Sequence, residues 1–254
     1  MKRRLLTWLH DSSFWSDYRP KMPAGAVAGG LAGAAATWVG VRLGQRRHDA
    51  AAAVSLLLGL GLLAPAVALG LVSWFMRRQR MAIRAQILGA VDWPATAWVL
   101  DVGCGTGMLL NGAAQRVPEG RVVGIDVWDA HAGGGTLDVL MANARAEGVA
   151  DRIEFQYADA RALPFGDGLF DIVLCAGAVH HIVRDHADLQ RLMDELSRVL
   201  KPSGRLVLWD VPHALEASAA LLRERGLSAE IGDAVPFLGF QNSILVATKA
   251  GAPA

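Results

Sequence analysis

Three glycines stand within five positions of the stretch VLDVGCGTG, residues 99–107. Gly103, Gly105 and Gly107 follow directly on an apolar run that carries Asp101. Glycine weakens a strand or helix; it serves where the chain turns tightly or where a ligand lies against bare backbone. Carboxylates recur downstream. Asp126 comes nineteen residues after Gly107, where an acid can accept hydrogen bonds from both hydroxyls of a ribose. Asp159 and Ala160 can meet an adenine amino group, and Asp101 an amine or other cationic group. An adenosine with an amino-acid tail suits these acids better than a pyrophosphate, which needs positive charge and helix N–H groups. The pair His180-His181 titrates near neutrality and can act as a general base, with Asp210 able to orient a histidine or a substrate hydroxyl.

Each of these residues also has a plainer reading. Asp101 can cap the turn, Cys104 can fill space, one histidine can pack the following turn, and Asp210 can be a strand-end acid. Two nucleotide motifs fail on their spacing. Position 108 is Met108, so the third glycine of GxGxxG is missing, and no Gly-Lys-Ser/Thr follows for a P-loop.

The elements that must position these groups alternate in type. WVLDV (98–102), RVVGIDV (121–127), RIEFQYA (152–158), FDIVLCA (170–176), GRLVLWDV (204–211) and SILVATKA (243–250) read as strands. Met108–Arg116, Thr136–Glu147, His186–Leu200 and Ala214–Arg225 read as helices, the third closed by Lys201-Pro202. Such alternation predicts an α/β fold with a mainly parallel sheet and right-handed crossovers. Ligands of such sheets sit at the carboxyl ends of the strands. Asp101, Asp126, Asp159, Cys175 and Asp210 all fall at or just past such an end.

On these residues the chain from 85 to 254 resembles the class I S-adenosylmethionine-dependent methyltransferases, particularly the type 11 group that includes quinone-ring methylases. VLDVGCGTG resembles the family's first motif and VVGIDV its second. YADARALPFGDGLFDIVLCAGAVHHI resembles the third and fourth together, and RVLKPSGRLVLWD the segment leading into the fifth strand. The resemblance implies a Rossmann-like, doubly wound sheet of seven strands. It implies S-adenosylmethionine as cofactor, with Gly103, Cys104, Gly105 and Gly107 lining the methionine moiety and Asp101 beneath it. Asp126 would take the ribose, with Val127 and Trp128 just beyond it; Asp159 and Ala160 would lie by the adenine, and Cys175 and Ala176 against the cofactor from the fourth strand. Independently of the resemblance, His180, His181 and Asp210 follow the fourth and fifth strands and are the candidates to face the methyl acceptor. Two stretches depart from the family. WDAHAGGGT, from Trp128 through His131 and Gly133–Gly135, can be a loop folding over cofactor or substrate, or a solvated insertion. GLSAEIGDAVPFLGFQN matches poorly to the antiparallel sixth strand expected before the last.

The first 84 residues differ in kind. Residues 22–41 run twenty positions without a charge and residues 50–76 run twenty-seven. About twenty apolar residues cross a bilayer as a helix, so the expectation is a two-helix hairpin, with a kink at Pro65; a buried soluble hairpin is the alternative. Gly25, Gly29 and Gly33 share one helix face, suited to close contact with the second helix or with another copy of the chain. Residues 1–21 mix Trp8, Phe14, Trp15 and Tyr18 with Lys2, Arg3, Arg4 and Arg19, as a segment lying flat on an anionic leaflet would. Arg77, Arg78, Arg80 and Arg84 form a basic juxtamembrane stretch over 77–84. Basic residues are more numerous outside the hairpin than in its loop, which predicts a two-pass protein of the cytoplasmic membrane with residues 85–254 in the cytoplasm.

The charge is lopsided to match. Up to Arg84 twelve Lys/Arg face three Asp/Glu, a net +9; from Ala85 thirteen face twenty-one, a net −8. The basic part sits at the edges of apolar runs and the acidic part repels phosphate backbones, so nucleic acid is not an expected partner. Two cysteines, Cys104 and Cys175, give neither a disulfide framework nor a metal-ligand spacing. The expected partners are a lipid bilayer and a hydrophobic small molecule, a lipid or a quinone, since a tether raises the effective concentration of bilayer-confined acceptors. A catalytically inactive cofactor-binding scaffold and a nucleotide-dependent oxidoreductase are the alternatives.

Overall fold

The computed structural model describes residues 24–44, 49–128, 137–237 and 240–251. They fall into two compact units that divide between Arg80 and Met81. Two helices dominate the first: α1 (Ala24–Gly44) and α2 (Asp49–Gly89). The helix α2 continues through Pro65 and on through Arg77–Arg84, because the stretch after Met76 holds good helix formers and no glycine or proline before Gly89. The basic stretch is thus helical, and the last turns of α2 belong to the second unit.

Small residues let the two helices of the first unit touch backbone to backbone. A Cβ placed on Gly33 would lie 2.7 Å from the Leu63 nitrogen and 2.8 Å from the Gly59 carbonyl, and one on Gly40 would lie 3.0 Å from the Ala52 carbonyl. The seam follows Gly33 and Gly40 on α1 and Ala52, Gly59 and Ala66 on α2, at seven-residue spacing, with Ala52 and Ala66 buried. The Gly33 end of the glycine face noted above is therefore occupied from within the chain; at Gly29 the approach is looser. The large apolar side chains point the other way: Leu57 is 71% exposed and Leu31 69%. Among the described residues one helix, Ala52–Gly89, is long and apolar enough to cross a membrane. Residues 1–23, including the aromatic and basic segment, lie outside the described residues.

The second unit is built on a seven-stranded sheet. Its strands are β1 (Trp98–Val102), β2 (Arg121–Asp126), β3 (Ile153–Tyr157), β4 (Phe170–Ala176), β5 (Leu200–Asp210), β6 (Leu227–Phe237) and β7 (Phe240–Lys249), in the order β3-β2-β1-β4-β5-β7-β6. The neighbours from β3 to β5 pair in parallel, and β7 runs antiparallel to both β5 and β6. The reversal of strand order between β1 and β4 opens a crevice at their carboxyl ends. Helices α3 (Met108–Arg116), α4 (Leu137–Ala146), α5 (Val179–Ile182), α6 (His186–Val199) and α7 (Pro212–Glu224) complete the unit.

Two apolar cores lie against the sheet. One gathers Leu189, Leu192, Met193 and Leu196 of α6 with Leu215 and Leu222 of α7. Their spacing puts them on one helix face, and Asp185 caps α6 by accepting the Asp188 N–H at 2.8 Å. The other gathers Ile83, Ile87 and Leu88 of α2 with Leu109, Leu110 and Ala113 of α3. A buried ion pair, Arg84–Glu147 at 2.7 Å, ties α2 to the end of α4.

The end of the chain differs from the sequence expectation. The antiparallel strand is the last, β7, and the poorly matching stretch forms β6 at the sheet edge. Its alternating pattern is broken by a register shift between Ile231 and Ala234, which disguised it in sequence. The strand β5 also begins earlier than expected. Phe170 pairs with Leu200 and Ile172 with Arg205, so Lys201–Gly204 bulge out of the ladder with Ser203 at φ 63°.

Candidate active site

The carboxyl ends of β1, β2, β4 and β5 bring the expected residues together. The turn after β1 is held by two backbone hydrogen bonds, from the Gly103 and Cys104 N–H groups to the Ile125 carbonyl, at 2.9 and 3.0 Å. Gly103, Gly105 and Gly107 all take positive φ, 69°, 51° and 86°, in the left-handed region that favours glycine. At Gly103 a side chain is also excluded by packing, since a Cβ would meet the Ala178 Cβ at 2.6 Å. At Gly105 nothing lies within 4 Å of that position, so backbone there faces open space. The left-handed Gly107 caps the start of α3.

Asp126 closes the crevice from β2. Its Oδ2 accepts the Gly105 N–H and its Oδ1 the Trp128 N–H, both at 2.8 Å. The Trp128 indole N–H donates to the Gly105 carbonyl at 3.2 Å, and its ring stacks on Phe155 with centroids 4.1 Å apart. Val127 between them is exposed. The rest of the glycine-rich stretch, 129–136, lies outside the described residues.

Asp101 lies wholly buried below the turn, and its Oδ2 has no hydrogen-bond partner. Burial, with a smaller push from the charge of Asp126, lifts its carboxyl to about 7. Burial pushes the thiols of Cys104 and Cys175 well up, which makes both space-filling groups rather than nucleophiles. Ala176 is half-buried at the end of β4, followed by Gly177 at φ 63°.

The histidines stand on α5, one turn past β4. His180 Nδ1 lies 2.7 Å from Oδ1 of Asp210, which is buried at the end of β5 and also accepts the Val211 N–H. Facing that carboxylate, Nδ1 is placed to donate, an arrangement that leaves Nε2 as the nitrogen able to accept. The hydrogen bond to Asp210 raises the His180 pKa above 6.5, while burial and the His180 charge lower that of His181. The two rings are 4.0 Å apart. On the far side of Gly177, Trp209 and Phe237 make an edge-to-face aromatic pair at 5.9 Å.

Asp159 is placed differently from the other acids. Its carboxylate is clamped by Arg161, whose guanidinium reaches it at 2.6 Å and also pairs with the buried Asp188. The arginine holds Asp159 below the ordinary carboxylate range. Ala160, buried beside it, keeps its place at the β3 end of the crevice. Sequence reasoning missed this clamp, though the two-residue spacing of Asp159 and Arg161 was visible; it also missed Gly177 and the Trp209–Phe237 pair. A hollow lined by Trp98, Arg121, Glu154, Phe155 and Phe170 lies toward the amino ends of the strands and contains none of the acids or histidines of the site.

Comparison with known proteins gives this geometry a context. Residues 99–204 match a family model described as "Methyltransferase domain". A demethylmenaquinone methyltransferase of Symbiobacterium thermophilum is 38% identical over 126 residues, 49% of this chain and 44% of that protein. The 27-O-demethylrifamycin SV methyltransferase of Amycolatopsis mediterranei is 36% identical over 150 residues, 56% of this chain and 50% of that protein. The chain thus spans about half the length of the curated relatives it matches. The fold is shared with geranyl diphosphate C-methyltransferase from Streptomyces coelicolor, at a TM-score of 0.55 and 18% identity, over 69% of this chain and 82% of that one. Residues 99–204 thus resemble a methyltransferase domain in sequence, and the second unit shares its fold with solved methyltransferases, one of them in complex with S-adenosylmethionine. The residues fit that molecule: a bare backbone surface at Gly105, a ribose-seeking acid at Asp126 and an unpartnered buried carboxylate oxygen at Asp101.

Proposed function

We propose, starting from a class I methyltransferase domain over residues 99–204, that this chain is a membrane-anchored enzyme methylating a hydrophobic acceptor confined to the bilayer, a lipid or a quinone. When bound, S-adenosylmethionine supplies an activated methyl group on a good leaving group. The protein's part is to align the acceptor, exclude water and remove a proton where the acceptor loses one.

The observation that carries the catalytic part is the His180–Asp210 pair at 2.7 Å. Asp210 holds the ring in one tautomer, so Nε2 is free to take a proton from a phenol or an activated ring carbon. Asp126 would hold the ribose and Asp101 the cationic end of the amino-acid tail. Ala160 and Val127 would flank the adenine, with Asp159 anchoring the turn through Arg161.

The membrane part rests on how the hairpin distributes its residues. Glycine and alanine fill the seam, and leucine, valine and tryptophan face outward. A helix pair in water does the reverse; an apolar solvent explains the arrangement. The relative named as a demethylmenaquinone methyltransferase supports a quinone among the candidate acceptors. The full chain, purified in detergent and given methyl-labelled cofactor, should label a membrane lipid extract. Label appearing only in the aqueous metabolite fraction would contradict this reading.

A further inference from the structure

Among the described residues, two that are not glycine adopt a left-handed backbone, Ser203 in the bulge of β5 and Trp128 at φ 40°. For a bulky side chain that conformation is strained and persists only where its surroundings impose it. Around Trp128 the surroundings are the cofactor crevice. Its backbone N–H meets Oδ1 of Asp126, its indole N–H meets the Gly105 carbonyl, and its ring stacks on Phe155 within 12° of parallel. The Gly105 N–H in turn meets Oδ2 of the same carboxylate.

These contacts close a ring: Trp128 to Asp126, Asp126 to Gly105, Gly105 back to Trp128. A carboxylate has about four acceptor positions. Two are taken by the paired N–H groups, one on each oxygen, which fixes the plane of the carboxylate and leaves one acceptor position on each oxygen. That is the pattern two neighbouring ribose hydroxyls require. We propose that Trp128 is a latch: a positioning residue that locks Asp126 and the glycine turn into the ribose-binding geometry before the cofactor arrives, with Phe155 as its seat. This rests on the cofactor reading above and adds to it a residue acting through Asp126 rather than through its own contact with the ligand. Holding the acid in place removes an ordering cost from binding, so the latch shows in affinity for the cofactor and leaves the chemical step alone.

The test is calorimetric titration of the full chain with S-adenosylhomocysteine. Trp128→Phe keeps the stack and loses the indole N–H; Trp128→Ala loses both. The latch predicts a Kd raised about tenfold for Trp128→Phe and further for Trp128→Ala, with KM for S-adenosylmethionine rising in parallel and kcat retained. In an Asp126→Asn background, where the carboxylate pairing is already broken, Trp128→Phe should change Kd by less than twofold. Wild-type affinity in Trp128→Phe, or a loss of the same size in the Asp126→Asn background, would overturn the latch. Failure of the wild-type chain to bind S-adenosylhomocysteine at all would instead overturn the cofactor reading, and the latch with it.

Discussion

Replacing Asp101 by asparagine should make the protein more tolerant of alkaline pH and worse at holding its cofactor. Burial lifts this carboxyl from 3.8 to about 7, a difference of about 3 units. At ~1.36 kcal/mol per unit the ionised form costs the folded state on the order of 4 kcal/mol. The sign follows from proton binding. Between the two values the folded chain holds a proton that the unfolded chain has released, so stability falls as pH rises from 3.8 to 7 and levels off above it. Between pH 5 and pH 8 the wild-type chain should lose about 3 kcal/mol that Asp101→Asn keeps. Denaturant midpoints of the two full-length proteins without cofactor, measured at half-unit steps of pH, check this directly. A ligand that brings a positive charge to Asp101 holds it ionised, so wild type should release roughly half a proton on binding S-adenosylhomocysteine at pH 7. The variant should release none there and bind at least about tenfold more weakly. Parallel stability profiles for the two proteins would refute the burial argument; equal affinity would refute the placement of Asp101 beneath the ligand.

The rate of methylation should rise as pH climbs through a value above 6.5, because His180 must lose its proton to act and Asp210 raises its pKa. Asp210→Asn should move that limb toward 6.5 and cut kcat by about 10²-fold or more, while His181→Ala keeps the limb in place; a limb that disappears in His181→Ala would assign the base to the other ring. Gly105→Ala should fold with a loss of about 1 kcal/mol yet lose cofactor affinity, since its Cβ enters the open space at the turn. Gly103→Ala, whose Cβ meets Ala178 at 2.6 Å, should lower the melting temperature as well, and equal melting temperatures for the two variants would refute the distinction. In the hairpin, Gly33→Leu should reduce helical stability in detergent, whereas Gly61→Leu, with nothing within 4 Å, should leave it unchanged; equal effects would dissolve the seam.

Much of this architecture was legible because its signals are local. The apolar runs ending in Asp101, Asp126 and Cys175 became β1, β2 and β4 nearly residue for residue, and four helices appeared within two residues of where their periodicity placed them. The β6 strand was hidden because a bulge near Gly232 and Asp233 breaks its alternation and Pro236 sits near its end. The extension of α2 through four arginines was hidden because the hydropathy boundary of a span says nothing of where the helix stops. At the site, the glycine turn and the acids that the sequence singled out, Asp101 and Asp126, meet at the carboxyl ends of β1 and β2. Three partnerships came only from the fold: His180 with Asp210 across thirty residues, Arg161 with Asp159 and Asp188, and Trp128 with Gly105. Each depends on which strand ends become neighbours, and sheet order is not a local property.

Methyl transfer itself tests the proposed activity most directly. Methyl-labelled S-adenosylmethionine, a total membrane lipid extract and equal amounts of folded wild-type and Asp126→Ala protein suffice to measure it. Wild type should transfer label to an extractable lipid, and the variant, stripped of the carboxylate that Gly105 and Trp128 hold in place, should transfer at least about a hundredfold less at subsaturating cofactor. Labelling undiminished in Asp126→Ala, or no labelling by wild type, would contradict it.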